Sequence, residues 1–250
     1  MLVVVCGMHR SGSTLVAQMA KGLLCDVGPL TISSNGLGGS VEEMQARASD
    51  PHHTWLAKVH IPRRVLRRAL PDQGARYLYT YRDVRDALAS AWRKNRFLFG
   101  SEERGPEIAA QFVREEIDIG AVFEDRRHCW IGRYETIVHN LPALVEDLAS
   151  FLDVPLSPDK QAQLVAAASP EKQRERSLLV SSGDRSVRVE TFITTNHITD
   201  GRSGAWKETL SVQEAIAAEH AGRQWLRDKD YPLCFRKAMY PDSSPENSPG

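Results

Sequence analysis

The chain opens on an unbroken apolar run, Leu2 to Cys6, rich in β-branched residues. A short run without a polar position reads as a strand buried on both faces. Gly7 stops it, and the small polar stretch His9-Arg10-Ser11-Gly12-Ser13-Thr14 follows. Leu15, Val16, Met19, Ala20 and Leu23 then recur at helical spacing, so the first unit is strand, tight loop, helix. Residues 25–30 read as a short extended piece and residues 31–40 as a Gly/Ser/Asn loop. Ser40 and Glu43 suit a capping box for a helix through Ala48. Residues 55–60 and 76–81 read as strands, separated by a basic helix from Arg63 to Leu70. Asp83 caps a helix with Val84, Ala87, Leu88 and Ala91 on one face. A helix over 106–123 sets Ile108, Phe112, Ile119 and Val122 in its apolar stripe, and 128–134 is the next strand. Leu141, Leu144, Val145, Leu148, Phe151 and Leu152 mark an amphipathic helix. Only helices follow, over 158–168, 170–177 and 212–225, while 180–205 shows no clear pattern. The Ser/Pro-rich stretch 241–250 reads as a disordered tail.

Strand and helix thus alternate through residue 152, which predicts an α/β fold: a parallel sheet flanked by helices in three layers. A single domain over 1–240 is expected. In such sheets ligands bind beyond the carboxyl ends of the strands. The loops that matter are those after Cys6, His60, Tyr81 and Tyr134.

Charge narrows the partners. The chain has 250 residues, 42% hydrophobic, with zero formal net charge, which weighs against a nucleic-acid or membrane-surface binder. Any anion site is therefore local. The four cysteines are scattered without a C-x-x-C pair, which fits a reducing compartment and no zinc site. The first strand begins at residue 2, leaving no room for a leader, and no apolar run is long enough to span a bilayer, so a cytoplasmic protein is expected.

The opening loop suits an anion. Its backbone N–H groups meet a helix N-terminus, Ser11, Ser13 and Thr14 add hydroxyls, and Arg10 adds a permanent charge. Gly7-x-x-x-x-Gly12-Ser13-Thr14 outlines the nucleoside-triphosphate loop, but Ser13 stands where that loop has lysine. Lys58 and His60 share one side of their strand and suit transfer chemistry: a base for a hydroxyl and a charge for the transferred group. Arg82 and Ser90, after the next strand, can hold a second phosphate, with Asp83 and Asp86 capping the helix and orienting Arg82.

These residues resemble the sulfotransferases that use 3′-phosphoadenosine 5′-phosphosulfate. Gly-Met-His-Arg-Ser-Gly-Ser-Thr-Leu is similar to their 5′-phosphosulfate loop, and Arg82-Asp-Val-Arg-Asp-Ala-Leu-Ala-Ser90 to their 3′-phosphate motif, R-D-P-x-D-x-x-x-S. Lys58-Val-His60-Ile-Pro resembles K-T-H-L-P, Arg133-Tyr-Glu-Thr-Ile-Val resembles Y-E-D-L, and Gly201-Arg-Ser-Gly-Ala-Trp-Lys207 resembles the late G-x-x-G-x-W-K loop. The resemblance implies a P-loop-like sulfotransferase fold. Arg10, Ser11, Gly12, Ser13 and Thr14 would bind the 5′-phosphosulfate. Arg82 and Ser90 would hold the 3′-phosphate, Tyr134 the adenine, and Gly201 and Arg202 would belong to the late donor loop. His60 would be the general base, with Lys58 and Arg10 on the sulfuryl group. Transfer to a small-molecule or carbohydrate acceptor would be in-line and metal-free, releasing adenosine 3′,5′-bisphosphate. Residues 31–57 look more like an N-x-x-G-x-x-E segment of some bacterial members. This brings Asn35, Glu42 and Glu43 to the acceptor side and makes the two glutamates rival bases. Where the family has Arg-Lys before the late glycine, this chain has Thr199-Asp200, so Arg202, Arg185 or Arg188 would have to substitute. A kinase or nucleotide hydrolase without the usual lysine, or a non-catalytic phosphonucleotide-binding module, remain the alternatives. The family's dimerisation segment is too poorly matched after Lys207 to imply an oligomeric state.

Overall fold

The computed structural model describes residues 1–33, 41–59, 70–94, 103–183, 191–193 and 201–236. Its centre is a sheet of five parallel strands: β1 (Leu2–Gly7), β2 (Leu30–Ser33), β3 (Thr54–Lys58), β4 (Ala75–Tyr81) and β5 (Cys129–Arg133), in the order β2-β3-β1-β4-β5. The wholly apolar β1 lies in the middle because both of its faces are covered. Val3 and Val5 face one core with α1 (Ser13–Leu24) and α6 (Leu141–Leu152). Leu2, Val4 and Cys6 face the other, which includes Phe123 of α4 (Pro106–Glu124) and Met44 of α2 (Val41–Ser49). Two helical layers around a parallel sheet are the expected architecture.

A further core joins α3 (Val84–Arg93) and α4 to α9 (Trp206–Thr209), α10 (Val212–Ala221) and α11 (Arg223–Asp228). α5 (Tyr134–Ile137) and α7 (Pro158–Ala167) add Ile137 and Leu164 to the core with α1 and α6, and α8 (Pro170–Ser181) follows in the chain. Asn140, Ser157, Ser169 and Ser211 cap α6, α7, α8 and α10 through their side chains. No described helix is long and apolar enough to cross a membrane.

Four expectations change. Residues 25–30 do not form the extended piece; β2 covers 30–33 instead, half-buried at the sheet edge, where Thr31 and Ser33 made it look like loop. The buried stripe of α4 is Ala109, Phe112, Val113, Glu116, Gly120 and Phe123, rotated from the expected one because a charged Glu116 points inward. The helix expected over 212–225 is two, divided at Gly222, where a Cβ would come within 2.8 Å of Val113. The helix expected to fade near Ser177 continues to Ser181. The capping role of Ser40, the basic helix expected from Arg63 to Leu70 (all but Leu70 itself) and the tail 241–250 lie outside the described residues.

Candidate functional site

Parallel pairing puts the carboxyl ends of β1, β3, β4 and β5 on one edge of the sheet. The loop after β1 is built around close contact with β4. Gly7 pairs with Thr80, and a Cβ on Gly7 would sit 2.2 Å from the Thr80 hydroxyl, so no larger residue fits. Ser11 is completely buried; its hydroxyl lies 2.6 Å from the Met8 carbonyl, 3.0 Å from the Thr80 carbonyl and 2.7 Å from the Thr80 hydroxyl. Its backbone N–H also turns inward, to the Met8 carbonyl at 3.2 Å. Ser11 thus clamps the loop from beneath, its hydroxyl and N–H both turned to Met8 and Thr80.

Gly12, at φ 88, closes the loop against the Tyr134 ring, 3.1 Å from where its Cβ would stand. Ser13 and Thr14 begin α1, and first-turn N–H groups have no intrahelical acceptor, which suits this helix start to an anion. Arg10 holds the left-handed conformation at φ 66, which costs a non-glycine residue roughly 1–2 kcal/mol. That twist carries its guanidinium across the loop, where Nε donates to the Ser90 hydroxyl at 3.0 Å. The donor loop and the Arg82…Ser90 stretch therefore meet directly.

On the other side, Tyr81 of β4 pairs with Arg133 of β5. One residue further on, Arg82 and Tyr134 stand side by side, with the guanidinium 4.2 Å from the ring centroid. Arg82 is 2% exposed, and its Nη2 donates to the carbonyls of Arg202 at 2.7 Å and Gly201 at 3.3 Å. Its buried Nε–H has no acceptor among the described residues. The Tyr134 hydroxyl donates to Gly201 at 3.2 Å, and Gly201 needs its φ of 68 beneath that hydroxyl. Tyr134 thus joins the donor loop, Arg82 and the late loop.

The two aspartates of the motif divide the work differently from the expectation that both orient Arg82. Asp83 caps α3 and binds Arg85 two-pronged, at 2.9 and 2.7 Å. Arg85 also donates to buried Glu219 at 2.6 Å and lies over Trp206. Burial works against its charge, yet Asp83 and Glu219 hold its pKa above the ordinary value. Asp86 accepts from the N–H groups of Gly204 at 2.7 Å and Trp206 at 2.9 Å, tying the late loop to α3, and lies 3.9 Å from Arg82. Burial pushes the Asp86 carboxyl up, against the pull of Arg82 and both amides.

Lys58 ends β3, buried and opposite Val5, on the same edge as the loop. Glu42 and Glu43 are exposed in the first turn of α2. The Arg202 guanidinium is exposed and pairs with Glu208 at 2.8 Å. His60, Asn35, Arg185, Arg188, Thr199 and Asp200 lie outside the described residues. Sequence reasoning missed Thr80, the anchor of the loop, and Glu116, which accepts from the His9 N–H at 2.7 Å. Thr80 looks like any β-branched strand residue, and no sequence signal marks it. Glu116 has one: it lies four residues after Phe112, at core spacing. Among the described residues no group of His, Cys, Asp and Glu side chains converges as a metal site.

The model of the sulfotransferase domain family matches residues 2–230. No match is found among curated proteins. A retinol dehydratase solved with androsterone and the inactive cofactor PAP superposes with a TM-score of 0.64 at 17% identity, covering 95% of this chain and 83% of that one. The mouse sulfotransferase SULT7A1, solved with PAP, gives a TM-score of 0.65 at 12% identity, covering 92% and 85%. At such identities the superpositions establish a shared fold.

Proposed function

This chain belongs to the sulfotransferase family, and we propose that it moves a sulfuryl group from 3′-phosphoadenosine 5′-phosphosulfate to a hydroxyl or amine of a small-molecule or carbohydrate acceptor. The observation that carries the choice of donor is the union of two anion sites by the Arg10–Ser90 bond. A donor with phosphate at both its 5′ and 3′ positions spans such a pair. PAP in the two solved neighbours, the adenosine 3′,5′-bisphosphate left after transfer, supports the same donor. The orphaned Nε–H of Arg82 fits a phosphate oxygen.

The residues take these roles. The first-turn amides of Ser13 and Thr14, with Gly12 giving close approach, hold the 5′-phosphosulfate. Arg82 and Ser90 hold the 3′-phosphate, Tyr134 borders the adenine, and Gly201 and Arg202 close the late side. As the acceptor oxygen or nitrogen bonds to sulfur, the bond from sulfur to the bridging phosphate oxygen breaks, and that oxygen keeps the electron pair. Arg10 and Lys58 neutralise the charge that develops. His60 takes the acceptor's proton, its ordinary pKa lying near neutrality, with Glu42 and Glu43 as the rival bases. The chain works as one domain, and its scattered cysteines favour the cytoplasm.

Thermal-shift titration tests the donor. Adenosine 3′,5′-bisphosphate alone raises the Tm, and ATP with magnesium does not. The reverse pattern would mean a kinase or nucleotide hydrolase. In the same assay the His60→Ala variant keeps the bisphosphate shift, while mass spectrometry of a mixed panel of hydroxyl acceptors shows that it has lost transfer.

A further inference from the structure

Glu116 is buried in the α4 stripe at 3% exposure, more than a hundred residues from the donor loop in sequence, yet it serves that loop. One carboxylate oxygen accepts the His9 backbone N–H at 2.7 Å, and the other meets His9 Nδ1 at 2.5 Å. A carboxylate taken this far out of water persists only where its oxygens are satisfied. Both of these are engaged by the residue immediately before Arg10. Arg10 is the loop residue whose backbone is strained, and such a conformation survives only where its neighbours over-determine it. After Arg10, the buried Ser11 hydroxyl anchors the chain to Met8 and Thr80. Before it, Glu116 grips His9 at backbone and ring.

We infer that Glu116, acting through His9, is a positioning residue that holds Arg10 in its left-handed conformation and aims its charge at the transferred group. This rests on the proposed role of Arg10 toward the donor. The helix-start amides and Arg82 hold the donor independently of His9. Loss of the latch therefore falls on the catalytic step more than on donor binding.

Hydrogen exchange of the loop 7–14 without ligand, together with steady-state kinetics, tests this in the full chain. In Glu116→Ala, loop exchange rises about tenfold or more as the loop opens locally. The kcat falls at least about tenfold while the donor KM moves less than about threefold, since a small misplacement of a reacting group costs rate. Glu116→Gln keeps an acceptor for the backbone N–H and offers its amide to the ring in the other tautomer, so it preserves loop protection and most of kcat. In an Arg10→Ala background, Glu116→Ala costs less than about twofold further, because the latch has nothing left to aim. His9→Ala, which leaves the carboxylate its backbone partner, shows the same pattern more weakly and serves if Glu116→Ala does not fold. A fall in Tm with loop exchange and kcat unchanged, or a full second loss on top of Arg10→Ala, overturns the inference. Should wild type fail to bind the bisphosphate while Glu116→Ala still opens the loop, the donor assignment falls and the latch stands.

Discussion

Arg10 pays for its placement with its own backbone. Glycine takes φ near 66 without penalty, whereas any residue with a Cβ resists it. An arginine at this φ sets charge against stability, a pattern common where strain is stored at functional sites. Two substitutions separate the parts. Arg10→Ala and Arg10→Gly both lose the bond to Ser90 and both lose sulfuryl transfer. Relief of strain at positive φ outweighs the greater unfolded-state entropy of glycine, so the glycine variant is the more stable by about 1 kcal/mol, the inverse of their order in ordinary helical structure. Urea unfolding of the two proteins measures the difference. An alanine variant as stable as the glycine one would mean that the loop relaxes and that Arg10 carries no strain.

At the scale of elements, α3 is the organiser of the site, and its two aspartates act on different partners. Asp83 keeps the helix start and Arg85 in place, while Asp86 moors the late loop, whose carbonyls at Gly201 and Arg202 steady Arg82. Asp86→Asn retains an acceptor for one amide and turns an N–H donor toward the other. The mooring then loses about 1.5–3 kcal/mol of charge-assisted bonding. Because Asp83 still caps α3, the fold persists and the loss appears as weaker binding of adenosine 3′,5′-bisphosphate, by about tenfold or more, measured by calorimetry. Unchanged affinity would free Arg82 from any dependence on the late loop. Much of this site was legible in the sequence, because Arg10, Arg82 and Tyr134 each stand just past a strand end and strand ends are easy to read. The partners were harder. Ser11 and Ser13 look alike in sequence, yet one hydroxyl is sunk against Thr80 and the other opens a helix. Glu116 hid for a related reason: a charged residue at core spacing reads as a solvated position until its distant partner is known.

For the whole molecule, the alternating pattern predicted a parallel sheet but not the strand order, since the order depends on pairings between strands far apart in sequence. β1 in the middle, with β3 and β4 on its flanks, brings three strand ends of the site together. The same arrangement seals both faces of the sheet, and the cysteines test that sealing. Cys6 is 1% exposed in the core under α2 and α4, and burial raises its thiol well above the ordinary value. Burial likewise pushes Cys129 of β5 up to about 12. At pH 8 a thiol of that pKa is thiolate in only about one molecule in 10,000, and the thiolate is the reactive form. Cys25 and Cys234 are exposed. Brief alkylation of the native protein at pH 8 therefore modifies Cys25 and Cys234, and all four cysteines react in denaturant, as intact-mass and peptide mass spectrometry would record. Raising the pH toward 9 still leaves Cys6 and Cys129 protected as long as the fold holds. Early labelling of Cys6 in native protein would show that the layer over β1 opens. Because the donor loop leaves β1 one residue later, such an opening would also loosen the anchorage at Gly7 and Thr80 on which the placement of Arg10 depends.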